Sequence, residues 1–358
     1  MDKPTGQEFD HIIPDIPAKP WQGNEMPKRI LIIRLQATGD LVAALPYVQF
    51  LKRSLPEAVK IDLLTREEVE AIPRHIELFN SIYAIGGKRS FKKQFLYAFL
   101  LLPRLLLQRY DVVIDMQNNQ ISSMVRRVIS PKAWSAFDRF SAMPGGLRYQ
   151  LTIEAVGLGP NAADNRFILK PVGGIDHLLK QNGWDGKNKL VIINPAGAFN
   201  TRNWPLENYV QFMQLWLQQS PATQFLVLGV DAIAQKADHL KNSLGHNLIN
   251  LVNKTTTEQA FAIVLRAGFV LSEDSGLMHM AWASGVPILA LFGATRSDWA
   301  RPLGKHTAFV DSADLSCGNC MLAACQHGDN RCITRYTPAF IFDKANALLN
   351  SLLHTELA

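Results

Sequence analysis

Residues 270–295 read VLSEDSGLMHMAWASGVPILALFGAT. The apolar run Phe269, Val270 and Leu271 ends at Ser272-Glu273-Asp274-Ser275-Gly276. Leu277, Met280 and Ala281 then recur at helical spacing, Gly285-Val286-Pro287 stops the helix, and Ile288 to Phe292 is a second apolar strand. The stretch is therefore strand, turn, helix, turn, strand, the repeating unit of an open parallel sheet. Such sheets bind ligands at the carboxyl ends of their strands, where the N–H groups and dipole of the next helix suit a phosphate. Asp274 and Ser275 are also ordinary N-cap residues, so a capped core helix explains the stretch equally well by itself.

The pattern recurs on either side. Leu190 to Asn194 is a strand and Pro195 to Ala198 a turn, followed by Asn200-Thr201-Arg202-Asn203-Trp204-Pro205 and an amphipathic helix from Leu206 to Gln219. Pro205 reads as a first-turn proline, and Thr201 and Arg202 stand where a hydroxyl and a guanidinium can hold phosphate. Further strands are expected at Gln224–Gly229 and Leu248–Val252. Nearer the start, the buried-strand pattern Arg29 to Leu35 runs through Gln36-Ala37-Thr38-Gly39-Asp40 into an apolar helix, Leu41 to Leu51. Val59–Leu64 and Asp111–Asp115 are further strands. Neither GxGxxG nor GxxxxGK[ST] occurs, which removes the P-loop. Asp40, at the carboxyl end of the first strand, is placed either for general-base work or as a helix N-cap.

At 358 residues, 47% of them hydrophobic and 19% charged, the chain has the composition of a globular protein with room for two domains. The expected fold is α/β, two Rossmann-like domains facing a cleft. Its parts are a flexible or surface-draped N-terminal arm (1–28), a first domain (29–170), a second domain (171–338) and a C-terminal helix (339–358). No signal peptide and no apolar run long enough to span a bilayer are evident, so a cytoplasmic location is expected. The net charge of +6 suits an anionic partner. Residues 88–110, KRSFKKQFLYAFLLLPRLLLQRY, have a basic front and an apolar body. They read either as an interfacial helix on an anionic membrane or as a buried core helix broken at Pro103. Arg126, Arg127, Lys132, Arg139 and Arg148 add to the positive charge of this half.

Cys317, Cys320, Cys325 and Cys332 are all the cysteines of the chain, spaced C-x2-C-x4-C-x6-C. In a cytoplasmic protein such a cluster reads first as a tetrahedral zinc or iron site; free thiols and disulfides are the alternatives. A metal-containing nucleic-acid-binding protein is a distant alternative. No helix-turn-helix is evident, and the aromatics do not interleave with the basic run as a stacking platform requires.

Three segments in order resemble the ADP-heptose:lipopolysaccharide heptosyltransferases: RILIIRLQATGDLVAALPYVQFLKRSLPEA, NPAGAFNTRNWPLENY and SEDSGLMHMAWASGVPILALFGAT, with Pro302-Leu303-Gly304 downstream. The resemblance implies the two-domain glycosyltransferase B fold and transfer of heptose from ADP-L-glycero-β-D-manno-heptose to the lipopolysaccharide inner core. It implies inversion, no catalytic metal, an anionic glycolipid acceptor and work at the inner face of the cytoplasmic membrane. By resemblance Asp40 is the general base. Asp274, Ser275, Gly276 and His279 match the family's D-[ST]-G-x-x-H segment at the diphosphate. Arg202, assisted by the Thr201 hydroxyl, stands where the family usually has the lysine of K-x-W. Asp231 is a displaced candidate for the ribose contact. The related autotransporter-modifying branch holds iron on cysteines and glycosylates protein serines, so a protein acceptor and another nucleotide sugar are the alternatives.

Overall fold

A computed structural model describes residues 13–356. The chain divides into two compact units, one through Lys170 and one from Pro171.

The first unit is built on β1 (Ala18–Lys19), β2 (Arg29–Ile33), β3 (Lys60–Arg66), β4 (Ser81–Ile85), β5 (Val112–Asp115) and β6 (Ala133–Ala136). Their order across the sheet is β1-β6-β5-β2-β3-β4. Every pairing is parallel except β1 with β6. Its helices are α1 (Thr38–Ser54), α2 (Ala71–Arg74), α3 (Phe91–Leu107), α4 (Gln120–Ile129) and α5 (Gly145–Glu154). Strands such as Ile30–Ile33 and Val112–Asp115 are buried at every position. Only a sheet covered by helices on both faces buries successive side chains in this way, which is why these runs are apolar rather than alternating.

Part of the N-terminal arm, expected to be flexible or surface-draped, is tied to the first sheet. Its residues 1–12 lie outside the described residues, but Ala18 and Lys19 pair antiparallel with Ser135 and Trp134. An edge strand presents unpaired N–H and C=O groups, and the extended arm satisfies those of β6. Farther along the arm, the Trp21 N–H donates to the Val156 carbonyl at 2.8 Å.

The reading of residues 88–110 as a buried core helix broken at Pro103 is not what forms. Helix α3 runs unbroken through Pro103, and only Ala98, Leu102 and Leu105 are buried. Pro103 and Phe99 share the exposed side, so the carbonyl that the proline leaves without an N–H partner is open to water.

The second unit has β7 (Lys189–Asn194), β8 (Thr223–Val227), β9 (Leu248–Asn250), β10 (Phe269–Glu273), β11 (Ile288–Leu291) and β12 (Thr307–Val310). They form an all-parallel sheet in the order β12-β11-β10-β7-β8-β9. Its helices are α6 (Ile175–Gln181), α7 (Leu206–Gln219), α8 (Ala234–Leu244), α9 (Thr257–Val264), α10 (Gly276–Ala283), α11 (Ser297–Ala300), α12 (Arg331–Thr334) and α13 (Pro338–Glu356). Pro205 is the N-cap of α7 rather than its first residue. The C-terminal helix α13 belongs to this unit's core: Ile341, Ala345 and Leu348 are buried, and Phe342 meets the rings of Phe212 and Trp216 edge-on.

In both sheets the order reverses at the first parallel strand, between β2 and β5 and between β7 and β10. Adjacent connections leave such a junction in opposite directions and open a crevice at the carboxyl ends of the two strands.

Candidate functional site

At the β7/β10 junction, Ser272 lies beside Asn194 in the parallel register. The Asn194 amide Nδ2 donates to Ser272 Oγ at 2.7 Å and to Ser275 Oγ at 2.6 Å. Ser275 is the N-cap of α10 and accepts from the Met278 N–H. Asn194 thus fixes the cap and with it the first turn of α10, whose leading N–H groups have no partner within the helix. Gly276 is exposed, and a Cβ built there would meet nothing within 4 Å. The helix therefore opens onto free space suited to an anion.

Opposite that turn, Asn200–Arg202 form a single 3-10 turn. The Arg202 Nη1 lies 3.4 Å from Asp274 Oδ2, with both side chains mostly buried, and the guanidinium sits 4.7 Å from the Phe199 ring centroid. Arg202 Nε is buried with no hydrogen-bond partner among the described residues. The cation is thus held at the junction with donor capacity to spare.

Thr201 does not stand as the sequence suggested. It is 1% exposed, and its hydroxyl donates to the Leu322 carbonyl at 2.6 Å. That bond ties the turn to the cysteine segment. The turn also packs against Gly293, where a Cβ would lie 2.0 Å from the Thr201 carbonyl oxygen. Gly293→Ala is expected to lose about 1–3 kcal/mol of stability through this overpacking, read as a lowered Tm. An unchanged Tm would show that the turn yields freely.

Glu273, which the sequence reading did not single out, organises the turn from below. It is fully buried, and its carboxylate accepts from the Gly197 N–H at 2.6 Å, the Trp204 N–H at 2.7 Å and the Tyr209 hydroxyl at 3.0 Å. Lys236 adds a second strap, donating to the Pro195 carbonyl and to Asn203 Oδ1. Burial is the largest influence on Glu273 and pushes its carboxyl up to about 7, while the three donors and Lys236 pull the other way. A folded-state value above the ordinary 4.5 means that the native state holds the proton more tightly than the unfolded chain. The resulting stabilisation is fully present below the unfolded value and is lost as pH rises through about 7. The expected loss across that window is roughly 3 kcal/mol. Thermal unfolding of Glu273→Gln should show a flatter dependence over this range; an unaltered slope would assign the titration to another group.

Asp231 begins a short 3-10 turn at the end of β8, exposed, with Asn253 Nδ2 donating to it at 3.4 Å. His279 lies on α10, its ring centroid 6.3 Å from that of Trp282.

In the first unit Asp40 sits at the corresponding junction. It is the third residue of α1, not the N-cap, which is Ala37. Its Oδ2 accepts from the Ala37 N–H at 3.0 Å and pairs with Arg34 Nη2 at 3.0 Å. Half of the Asp40 side chain is exposed, whereas Arg34 is buried against the stacked rings of Phe137 and Tyr149. Gln117 Oε1 accepts from the Leu35 and Gln36 N–H groups and so fixes the turn ahead of the helix. The result is an accessible carboxylate on a rigid support.

The four cysteines are free thiols that line one pocket of about 270 Å3, together with Thr201, His327 and Asp329. Burial, and then the neighbouring thiols of Cys320, Cys325 and Cys317, push the Cys332 thiol up. Cys332 Sγ lies 3.7 Å from the Thr201 carbonyl. The expected metal set is not formed: among the described residues no three His, Cys, Asp or Glu side chains are arranged to hold a metal ion. As placed, the cysteine segment braces the Thr201–Arg202 turn through Leu322 and Cys332.

A family model described as glycosyltransferase family 9 (heptosyltransferase) matches residues 100–329. The chain is 22% identical over 349 residues to lipooligosaccharide heptosyltransferase 2 of Haemophilus influenzae, covering 89% of this chain and 99% of that protein. Its fold is similar to that of E. coli ADP-heptose lps heptosyltransferase II, with a TM-score of 0.68, 18% identity and coverage of 92% and 99% of the two chains. It is also similar to E. coli heptosyltransferase WaaC with ADP-2-deoxy-2-fluoro heptose, with a TM-score of 0.63, 17% identity and coverage of 89% and 99%.

Proposed function

Because the chain belongs to glycosyltransferase family 9, the heptosyltransferases, and is therefore a glycosyltransferase, we propose that it transfers heptose from ADP-L-glycero-β-D-manno-heptose to a lipopolysaccharide core, with inversion. The observation that carries the donor half is the β7/β10 junction. There a capped helix start, an unobstructed glycine and an arginine with an unused donor converge. A diphosphate matches all three. The relative solved with ADP-2-deoxy-2-fluoro heptose supports an ADP-sugar in particular.

Ser275 and the N–H groups of Gly276 and Leu277 receive the phosphates, and Arg202 neutralises the charge that collects on the departing diphosphate. Asp274 would repel that diphosphate, so its part is to hold Arg202. Asp231 is assigned to the ribose, and His279 to the diphosphate end of α10. Asp40 takes the proton from the acceptor hydroxyl as its oxygen attacks the anomeric carbon. The bond from that carbon to the diphosphate oxygen breaks, and its electrons leave with ADP.

Incubation with ADP-heptose and a core acceptor, followed by ADP release and product mass, tests the reading. Turnover with ADP-heptose at least about tenfold above that with UDP- or GDP-sugars is expected. Preference for another nucleotide sugar would reassign the donor. Chelation with EDTA should leave turnover within about twofold, since none of the proposed steps uses a metal. A metal at Cys317, Cys320, Cys325 and Cys332 would require that loop to rearrange; elemental analysis of purified protein decides whether one is carried.

A further inference from the structure

Helix α3 presents its apolar residues to the wrong side for a globular protein. Its buried stripe is Ala98, Leu102 and Leu105, which at 100° per residue spans about 60° of the helix surface. Away from that stripe, where a surface helix normally carries polar residues, stand Leu96 at 54% exposure, Phe99 at 59%, Leu100 at 63% and Leu107 at 80%. Phe95 and Leu106, both exposed, carry the apolar surface around the shoulder. The face runs the length of the helix, about 25 Å.

Within the segment the charge has one sign; beside it, the exposed Glu68 is paired with Arg66. Residues 88–110 contain six Lys or Arg and no Asp or Glu, and four of the six fall at Lys88, Arg89, Lys92 and Lys93. The turn that carries them is held in shape: Arg66 Nη2 and the Gln94 amide both donate to the Lys88 carbonyl, and Ser90 caps the helix. Helix α4, packed beside α3, adds an exposed Arg127. Among the described residues no helix is long and apolar enough to cross a membrane.

We propose that α3 lies in the plane of an anionic lipid bilayer. Its Leu96–Leu100 face enters the acyl boundary, and the basic turn 88–93 rests on phosphate headgroups. The combination of an apolar face, a basic flank and a length too short to span is that of an interfacial helix. A second copy of the chain is the poorer occupant, because pairing two such helices brings like charges together with no acid in either segment. Headgroup phosphates supply the missing charge. The binding is independent of which sugar is transferred. Only its purpose, bringing the enzyme to a lipid-anchored acceptor, rests on the function proposed above.

Co-sedimentation of the full chain with vesicles tests it, using phosphatidylcholine alone or with about a third phosphatidylglycerol. The wild type should bind the anionic vesicles at least about tenfold more tightly than the neutral ones, and this preference should shrink as salt rises. Leu96→Asp/Leu100→Asp and Lys92→Glu/Lys93→Glu should each lose about tenfold or more of that binding. Both pairs are exposed, and ADP affinity and Tm close to wild type confirm that the variants fold. Equal sedimentation of the wild type and both variants would overturn the proposal. So would a wild type that ignores anionic vesicles, or one that forms a dimer which Leu96→Asp/Leu100→Asp dissociates.

Discussion

Asp40→Asn is expected to lower kcat by about 10²- to 10⁴-fold, the range that a positioned general base supplies, while leaving ADP affinity within about twofold. The substitution keeps the side chain's shape and an oxygen for the Ala37 N–H, so α1 should start as before. What it removes is the charge and the basicity. Arg34 then loses its partner at 3.0 Å, but its place against the stacked Phe137 and Tyr149 rings and its bond to the Met116 carbonyl hold the guanidinium. Steady-state rates with saturating donor and acceptor measure the effect. A kcat within threefold of wild type would remove Asp40 from proton transfer and leave it the capping role that its bond to Ala37 already gives it.

Arg202→Ala should cost about 10²- to 10³-fold in kcat, the loss seen when one preorganised donor to a developing anion is deleted. The loss should fall on kcat more than on the donor KM, because the charge on the diphosphate grows as the sugar departs. Arg202→Lys should recover part of the rate: it restores the cation but not the planar fork that spans Asp274 and a phosphate. Glu273 gives this prediction a control. It positions the same turn without reaching a ligand, so its replacement should lower stability and donor affinity together. If Arg202→Ala behaves in that way, with kcat intact, Arg202 is a brace and not a charge stabiliser.

Much of the architecture could be read from periodicity. The apolar runs near residues 30, 60, 112, 190, 225, 270 and 288 became interior parallel strands, because burial on both faces leaves an unbroken hydrophobic signature, and the run near 248 became the edge strand β9, whose Leu248 and Ile249 are buried. The other three edge strands were not legible. Ala18–Lys19 has no apolar pattern and becomes a strand only because β6 leaves its ladder open. Ser81–Ile85 and Thr307–Val310 lie at the outer edges of their sheets, where part of each strand is exposed and the signature weakens.

At the site, residue types were visible but duties were not. Thr201 looked like a ligand contact because a hydroxyl before a helix suits phosphate; the fold brings the Leu322 carbonyl to it from more than a hundred residues away. Asn194 and Glu273 passed unnoticed because each ends an apolar strand and looks like its boundary. A polar residue closing a strand next to a Pro or Gly turn was the available signal. The fate of α3 was undecidable from its sequence, since apolar residues all round a helix fit burial and an interface equally.

The central claim is that the sugar nucleotide's diphosphate sits at the β7/β10 junction, and hydrogen exchange with and without ADP tests it most directly. Slowed exchange is expected at the amides of residues 196–202 and 275–278, and Arg202→Ala should weaken that protection. Protection confined to the first unit, or absent from both of these segments at saturating ADP, would contradict the assignment.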